Sequence, residues 1–194
     1  MLVPNGSFST EIEVRKSRFI ATAFFCDSFE YLKKVIAQTR NDNPSARHVV
    51  HAAVIGTQFS MSDDHEPKNT AGRPALEVLK GSGISNIGLT ITRYFGGTLL
   101  GTGGLVRAYT DSAKAALEGL KVEEFVNRIS FSVEVPYELL QSTKRILEKY
   151  EATDTKETFT DIVIIHTSVP DSCKDLLQHD FSEISNGKIQ LVWC

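Results

Sequence analysis

Residues 87–109 constrain this chain more than any other stretch. Ile87, Leu89 and Ile91 alternate with Gly88, Thr90 and Thr92, the period-two pattern of a strand. Beyond residue 103 the period changes. Leu105, Tyr109, Ser112, Ala113, Ala116, Leu117 and Leu120 share one helical stripe, and Arg107, Asp111, Lys114 and Glu118 share the other, as in an amphipathic helix. Five glycines separate the two patterns: Gly96, Gly97, Gly101, Gly103 and Gly104. They permit positive φ and close backbone approach.

Gly103 and Gly104 are placed to open the helix, where free N–H groups and the macrodipole favour an anion. Arg93 ends the strand and Arg107 falls in the first helical turn. A cation there opposes the dipole, and an anion bound between the two arginines removes that conflict. The expected anion-binding set is Lys68, Arg73, Arg93, Tyr94, Gly96, Gly97, Gly103, Gly104 and Arg107. A structural reading stands beside it. The glycines then serve a tight turn, Arg93 pairs with a carboxylate, and Arg107 pairs with Asp111 four positions on.

The formal net charge of −3 argues against bulk nucleic-acid binding. Charge is unevenly distributed, however. Residues 1–125 carry 14 Lys and Arg against 13 Asp and Glu, and residues 126–194 carry 7 against 11. A polyanion site therefore belongs in the first part and is local. No apolar run is long enough to span a bilayer, and MLVPNGSFST has no secretory pattern. Cys26, Cys173 and Cys194 are far apart and form no metal spacing. Reduced thiols in a cytoplasmic protein are expected, with no resident metal or cofactor.

FSTEIEV and FIATAFF read as strands joined by a basic turn with Arg15, Lys16 and Arg18. Asp27 and Glu30 resemble a capping box before a helix reaching about Arg40. HVVHAAVIG, from His48, reads as a covered central strand. His48 and His51 fall on opposite faces of it. SDDHEPKNTAGRP, residues 62–74, belongs on a loop that caps a short helix over Ala75 to Lys80. Its carboxylates Asp63, Asp64 and Glu66 lack EF-hand spacing. Lys68, Thr70, Gly72 and Arg73 are candidate phosphate donors.

The pattern changes again near residues 121–128. Residues 1–124 and 125–194 are therefore expected to be separate domains. The second reads strand (129–135), helix after Pro136, weak strand (152–159), strand (162–166), helix (172–184) and strand (189–193). This βαββαβ order is that of a ferredoxin-like domain. It carries no catalytic constellation.

KSRFIA (16–21), DDHEPKNTAGRP (63–74) and TRYFGGTLLGTGGLVRAY (92–109) resemble the YigZ/Impact family in its bacterial two-domain form. The resemblance implies an α+β fold. Its first domain is similar to domain IV of elongation factor G, of the ribosomal protein domain 2-like class, and to the protein of ribonuclease P. Its second is similar to domain V of the same factor. The family's eukaryotic members act in translational control by binding the activator of an initiation-factor kinase, largely through an additional N-terminal domain that has no counterpart in these residues. The family loop commonly reads DDGEPSGTAGRP; here His65, Lys68 and Asn69 stand where it has Gly, Ser and Gly.

The expected function is a non-enzymatic protein that binds RNA, the ribosome or a translation-control protein and modulates translation. No catalytic residues are assigned. Two other readings remain open at this point. One is an enzyme acting on a phosphorylated small molecule, with Asp63, Asp64 and Glu66 holding Mg²⁺. The other is a regulatory module that binds protein through its acidic second part.

Overall fold

The computed structural model covers residues 1–194, which divide into two units, Met1–Phe125 and Val126–Cys194. The first begins with β1 (Leu2–Pro4), the hairpin β2 (Ser7–Val14) and β3 (Ser17–Phe25), and helix α1 (Phe29–Asp42). Then come β4 (His48–Ile55), β5 (Gln58–Ser62), α2 (Gly72–Gly81), β6 (Ile87–Tyr94), α3 (Gly101–Glu118) and β7 (Val122–Glu124).

Five strands form one antiparallel sheet in the order β2-β3-β6-β4-β5, and β1 pairs separately with β7. β6 lies at its centre. Ile87, Leu89 and Ile91 point to one face with Phe19, Ala21 and Ala23 of β3 and with Val50, Ala52 and Val54 of β4. Helices α2 and α3 cover that face through Ala75, Leu79, Leu105, Ala108, Tyr109 and Ala113. Each large apolar side chain there contributes roughly 1.5–3 kcal/mol through burial. The Phe19 and Tyr109 rings meet edge to face with centroids 5.2 Å apart. On the opposite face α1 buries Leu32 against Phe24, Cys26 and Ala53.

Several local details depart from the sequence reading. Ser28, rather than Asp27, caps α1; its Oγ accepts the Tyr31 N–H at 3.3 Å. Strand β5 escaped the reading altogether. QFSMS is short, and its apolar residues Phe59 and Met61 are exposed, so only pairing with β4 makes it a strand. Helix α2 starts at Gly72, three residues earlier than expected. Pro74 thus sits inside the first turn, where a missing N–H costs no helical bond. Likewise α3 begins at Gly101, ahead of Gly103 and Gly104.

The second unit holds β8 (Arg128–Val135), α4 (Leu140–Lys149), β9 (Thr153–Phe159), β10 (Val163–Pro170), α5 (Lys174–Ser185) and β11 (Leu191–Trp193). Its four strands pair antiparallel in the order β11-β8-β10-β9. Phe131, Val133 and Val135 of β8 and Val163, Ile165 and Val169 of β10 pack against Ile146, Leu147, Leu177 and Phe181 of the helices. Strand β10 runs four residues beyond the expected His166, past a register shift between His166 and Ser168. Pro136 follows β8 and Pro170 ends β10, and each precedes one turn of 3₁₀ helix that leads into α4 or α5.

Candidate anion-binding site

Antiparallel pairing gathers four connections at one end of the five-stranded sheet. Phe19 lies opposite Arg93, Arg93 opposite His48, and His51 opposite Ser62. The β2–β3 turn, the α1–β4 connection, the β5–α2 loop and the β6–α3 loop therefore share this end.

The β5–α2 loop turns its carboxylates inward. Asp63 Oδ1 accepts the N–H groups of Ala71 (3.1 Å) and Gly72 (2.8 Å), and Oδ2 accepts that of Asn69 (2.8 Å). An anion thereby occupies the donor-rich start of α2. Asp64 Oδ2 accepts the Val49 N–H and an Arg40 Nη2–H, each at 2.6 Å. Burial opposes its ionisation, but those two donors outweigh it and hold the carboxyl below the usual carboxylate range. His65 and Asn69 both have left-handed φ, 68° and 64°.

Glu66 reaches deepest, with only 3% of its side chain exposed. Its Oε1 accepts from Arg93 Nη1 at 2.6 Å and from the Tyr109 hydroxyl at 2.8 Å. Burial, with the Glu66 carboxylate beside it, pushes the Tyr109 phenol up, so Tyr109 stays protonated and donates. His48 Nε2 lies 3.8 Å from the same oxygen. The other ring nitrogen, Nδ1, is 2.7 Å from the Asp64 carbonyl, which accepts, so Nδ1 carries a proton. The Arg93 side chain is 6% exposed. Its guanidinium lies 5.4 Å from the Phe19 ring centroid and 5.8 Å from that of Phe95. Nη2 is 3.5 Å from Ser17 Oγ, and the buried Nε has no acceptor in the protein.

Above this cluster opens a cavity of about 320 Å³. Arg47, His48, His65, Glu66 and Arg93 form its polar wall, Phe95, Leu99, Leu100 and Leu105 its apolar wall, and Gly101 and Thr102 bring in the start of α3. Arg47 forms a cation–π contact with Phe95, 5.4 Å from the ring centroid. Glycine is required twice along this rim. A Cβ on Gly96 would lie 2.0–2.1 Å from the Lys16 carbonyl carbon and oxygen, and Gly101 has φ +73°. Gly96 thus seats the Arg15–Lys16 turn against the β6–α3 loop.

The expected site residues scatter around this geometry. Arg93 lines the cavity, with Gly96 and Gly97 in the loop beside it and Gly103 and Gly104 in the first turn of α3. Lys68 is exposed next to Pro67, a lining residue. Tyr94 is held structurally: its hydroxyl donates to Asn43 Oδ1 at 2.6 Å and its ring underlies Arg18. Arg73 lines a separate groove between α2 and α3. The Arg107 side chain is 86% exposed and lies 3.7 Å from Asp111, outside the cavity. The expected anion-binding set omits Arg47, His48, Glu66 and Tyr109, and Glu66 enters the sequence analysis only as a Mg²⁺ ligand of the enzyme reading. Glu66 and Tyr109 do fall within the strings DDHEP and GGLVRAY that carried the resemblance.

Residues 15–117 match the family model described as the Impact N-terminal domain. The chain belongs to the IMPACT family. An IMPACT family member of Haemophilus influenzae is 34% identical over 193 residues, covering 97% of this chain and 94% of that one. IMPACT family member YigZ of Escherichia coli is 31% identical, covering 98% of this chain and 96% of its own length. A solved structure described as the crystal structure of a hypothetical protein is 31% identical, with a TM-score of 0.72 over 98% of this chain and 95% of that one. The IMPACT match spans the Arg15–Lys16 turn, the Glu66–Arg93–Tyr109 cluster and the start of α3.

Proposed function

We propose that this IMPACT family member is a non-enzymatic translation-related protein whose first unit binds RNA phosphate through the loop end of its sheet. One observation carries this reading. Asp63, Asp64 and Glu66 are each engaged by donors of the fold, whereas Arg15, Lys16, Arg47 and Lys68 are exposed at the same end and make no ion pair. The field presented to solvent there is positive although the chain as a whole is acidic. Phosphate contacts of this kind carry affinity and orientation rather than sequence readout.

The Mg²⁺ enzyme reading needs the three carboxylates to converge, and they face three different sets of partners. The strand order of the second unit supports a ferredoxin-like domain over residues 125–194, beside an Impact-type domain similar to domain IV of elongation factor G over residues 1–124. Cytoplasmic location and a ribosomal or translation-control partner belong to the same proposal.

The test is a salt titration of RNA binding by the full chain and by the Lys16→Glu/Arg47→Glu double variant. Loss of two phosphate contacts lowers the log–log slope by about two. Equal affinity and slope in two folded proteins would overturn the proposal.

A further inference from the structure

We infer that the cavity at the start of α3 binds a nucleoside 5′-monophosphate group, either as a free nucleotide or as the 5′-phosphorylated end of a single-stranded RNA. The inference rests on the anion-binding reading of this loop end and narrows it to one ligand chemistry.

Two walls of different character face each other. On one side Gly101 and Thr102 begin an 18-residue helix, whose first N–H groups have no helical acceptor and favour a phosphate. A second observation points to a ligand independently. Arg93 lines the cavity, its side chain is more than nine-tenths buried, and its Nε–H lacks any acceptor. Buried donors are nearly always paired, so an oxygen supplied from outside the protein would complete this one. Arg47 and Arg93 stand against Glu66 alone, so the lining keeps an excess of positive charge. Glu66 already accepts from Arg93 and Tyr109. That places an entering phosphate toward Arg47 and the α3 start rather than against the carboxylate.

The other wall is apolar. Phe95 and Leu99 line it while remaining exposed, and Arg47 already stacks on the Phe95 ring. A base entering beside that ring takes the stacking geometry that single-stranded RNA sites use. Inorganic phosphate leaves this wall unused, and an internal nucleotide needs room for the chain to enter and leave. A volume of about 320 Å³ lies at the lower end for small-molecule sites and suits one nucleotide end.

The experiment uses the full chain with adenosine 5′-monophosphate, adenosine and inorganic phosphate in calorimetry. It also compares one RNA oligonucleotide with a 5′-phosphate or a 5′-hydroxyl. The monophosphate should bind more tightly than either fragment, and the phosphorylated RNA roughly tenfold more tightly than the hydroxyl form, about one charge-assisted hydrogen bond. Thr102→Asp puts a carboxylate where the phosphate would sit while suiting the helix start. It should abolish both preferences in a protein at least as stable as the parent. Salt-dependent RNA binding that ignores the 5′ group, with no monophosphate binding, overturns this inference and leaves the RNA reading standing. Monophosphate binding lost in Thr102→Asp, without RNA binding of any kind, supports the cavity assignment and removes the RNA reading. Unchanged binding in Thr102→Asp overturns the assignment of the site.

Discussion

Glu66 and Arg93, 27 positions apart in sequence, meet at 2.6 Å with both side chains almost completely buried. Tyr109 closes the cluster from α3 by donating to the same carboxylate oxygen. Loop, strand and helix are thereby tied at one point beneath the cavity. Attraction between two buried charges only partly offsets their desolvation. The arrangement is therefore better evidence for a site that must hold its shape than for a source of stability.

Removing one partner leaves the other charge buried and alone. Glu66→Ala should destabilise the first unit by about 3–5 kcal/mol, read as a shift in urea unfolding followed within that unit. Tyr109→Phe removes only the hydroxyl and should cost about 1–2 kcal/mol. In the Glu66→Ala background the same change should cost much less, because the acceptor is gone. Additive losses would show that the cluster is not coupled.

Stability should fall at both ends of the pH scale. The Asp64 carboxyl is held below its ordinary value in the folded state. Its contribution is therefore complete above an unfolded pKa of about 3.9 and is lost as pH falls through the lower folded value. Tyr109 has the opposite sign. Its folded value is raised, so its contribution is complete below an unfolded pKa of about 10 and declines as pH rises beyond it. Asp64→Asn should flatten the acid limb and Tyr109→Phe the alkaline limb of unfolding free energy against pH. Unchanged limbs would assign the pH dependence to other groups.

His65 holds φ 68° in the loop where the family commonly has glycine. A left-handed residue with a Cβ costs about 1–2 kcal/mol, and glycine gives back about 0.4–1 kcal/mol through the freer unfolded chain. His65→Gly should therefore stabilise the protein by about 0.5–1 kcal/mol. Asn69→Gly should gain less, since asparagine tolerates φ 64° better. Thermal midpoints of the two variants check the ranking.

Gly96→Ala should be destabilising by about 1–3 kcal/mol. Its Cβ would meet the backbone carbonyl of Lys16 rather than a movable side chain. Because that contact seats the basic turn, RNA affinity should fall with stability. Full affinity in a destabilised variant would separate the Arg15–Lys16 turn from the binding face.

What the sequence determined by itself is local and periodic. Alternation at Ile87, Leu89 and Ile91 and the stripe from Leu105 to Leu120 are legible because strand and helix geometry repeat over neighbouring residues. The glycines between them announced a special connection, and uneven charge pointed to the first 125 residues. The tertiary structure decided the rest. β5 exists because β4 offers it a pairing edge, and QFSMS has no pattern strong enough to show this alone. Which side chains stay free at the loop end was not legible, because a list of charged residues does not say which of them are already paired. Asp63, Asp64 and Glu66 look like an acidic loop in sequence, yet folding turns them onto backbone N–H groups, Arg40 and Arg93. Arg93 and Arg107 look equivalent around the glycines, but one lies beneath the cavity and the other faces solvent beside Asp111. Pairing between residues tens of positions apart depends on the sheet register, and no local period encodes it.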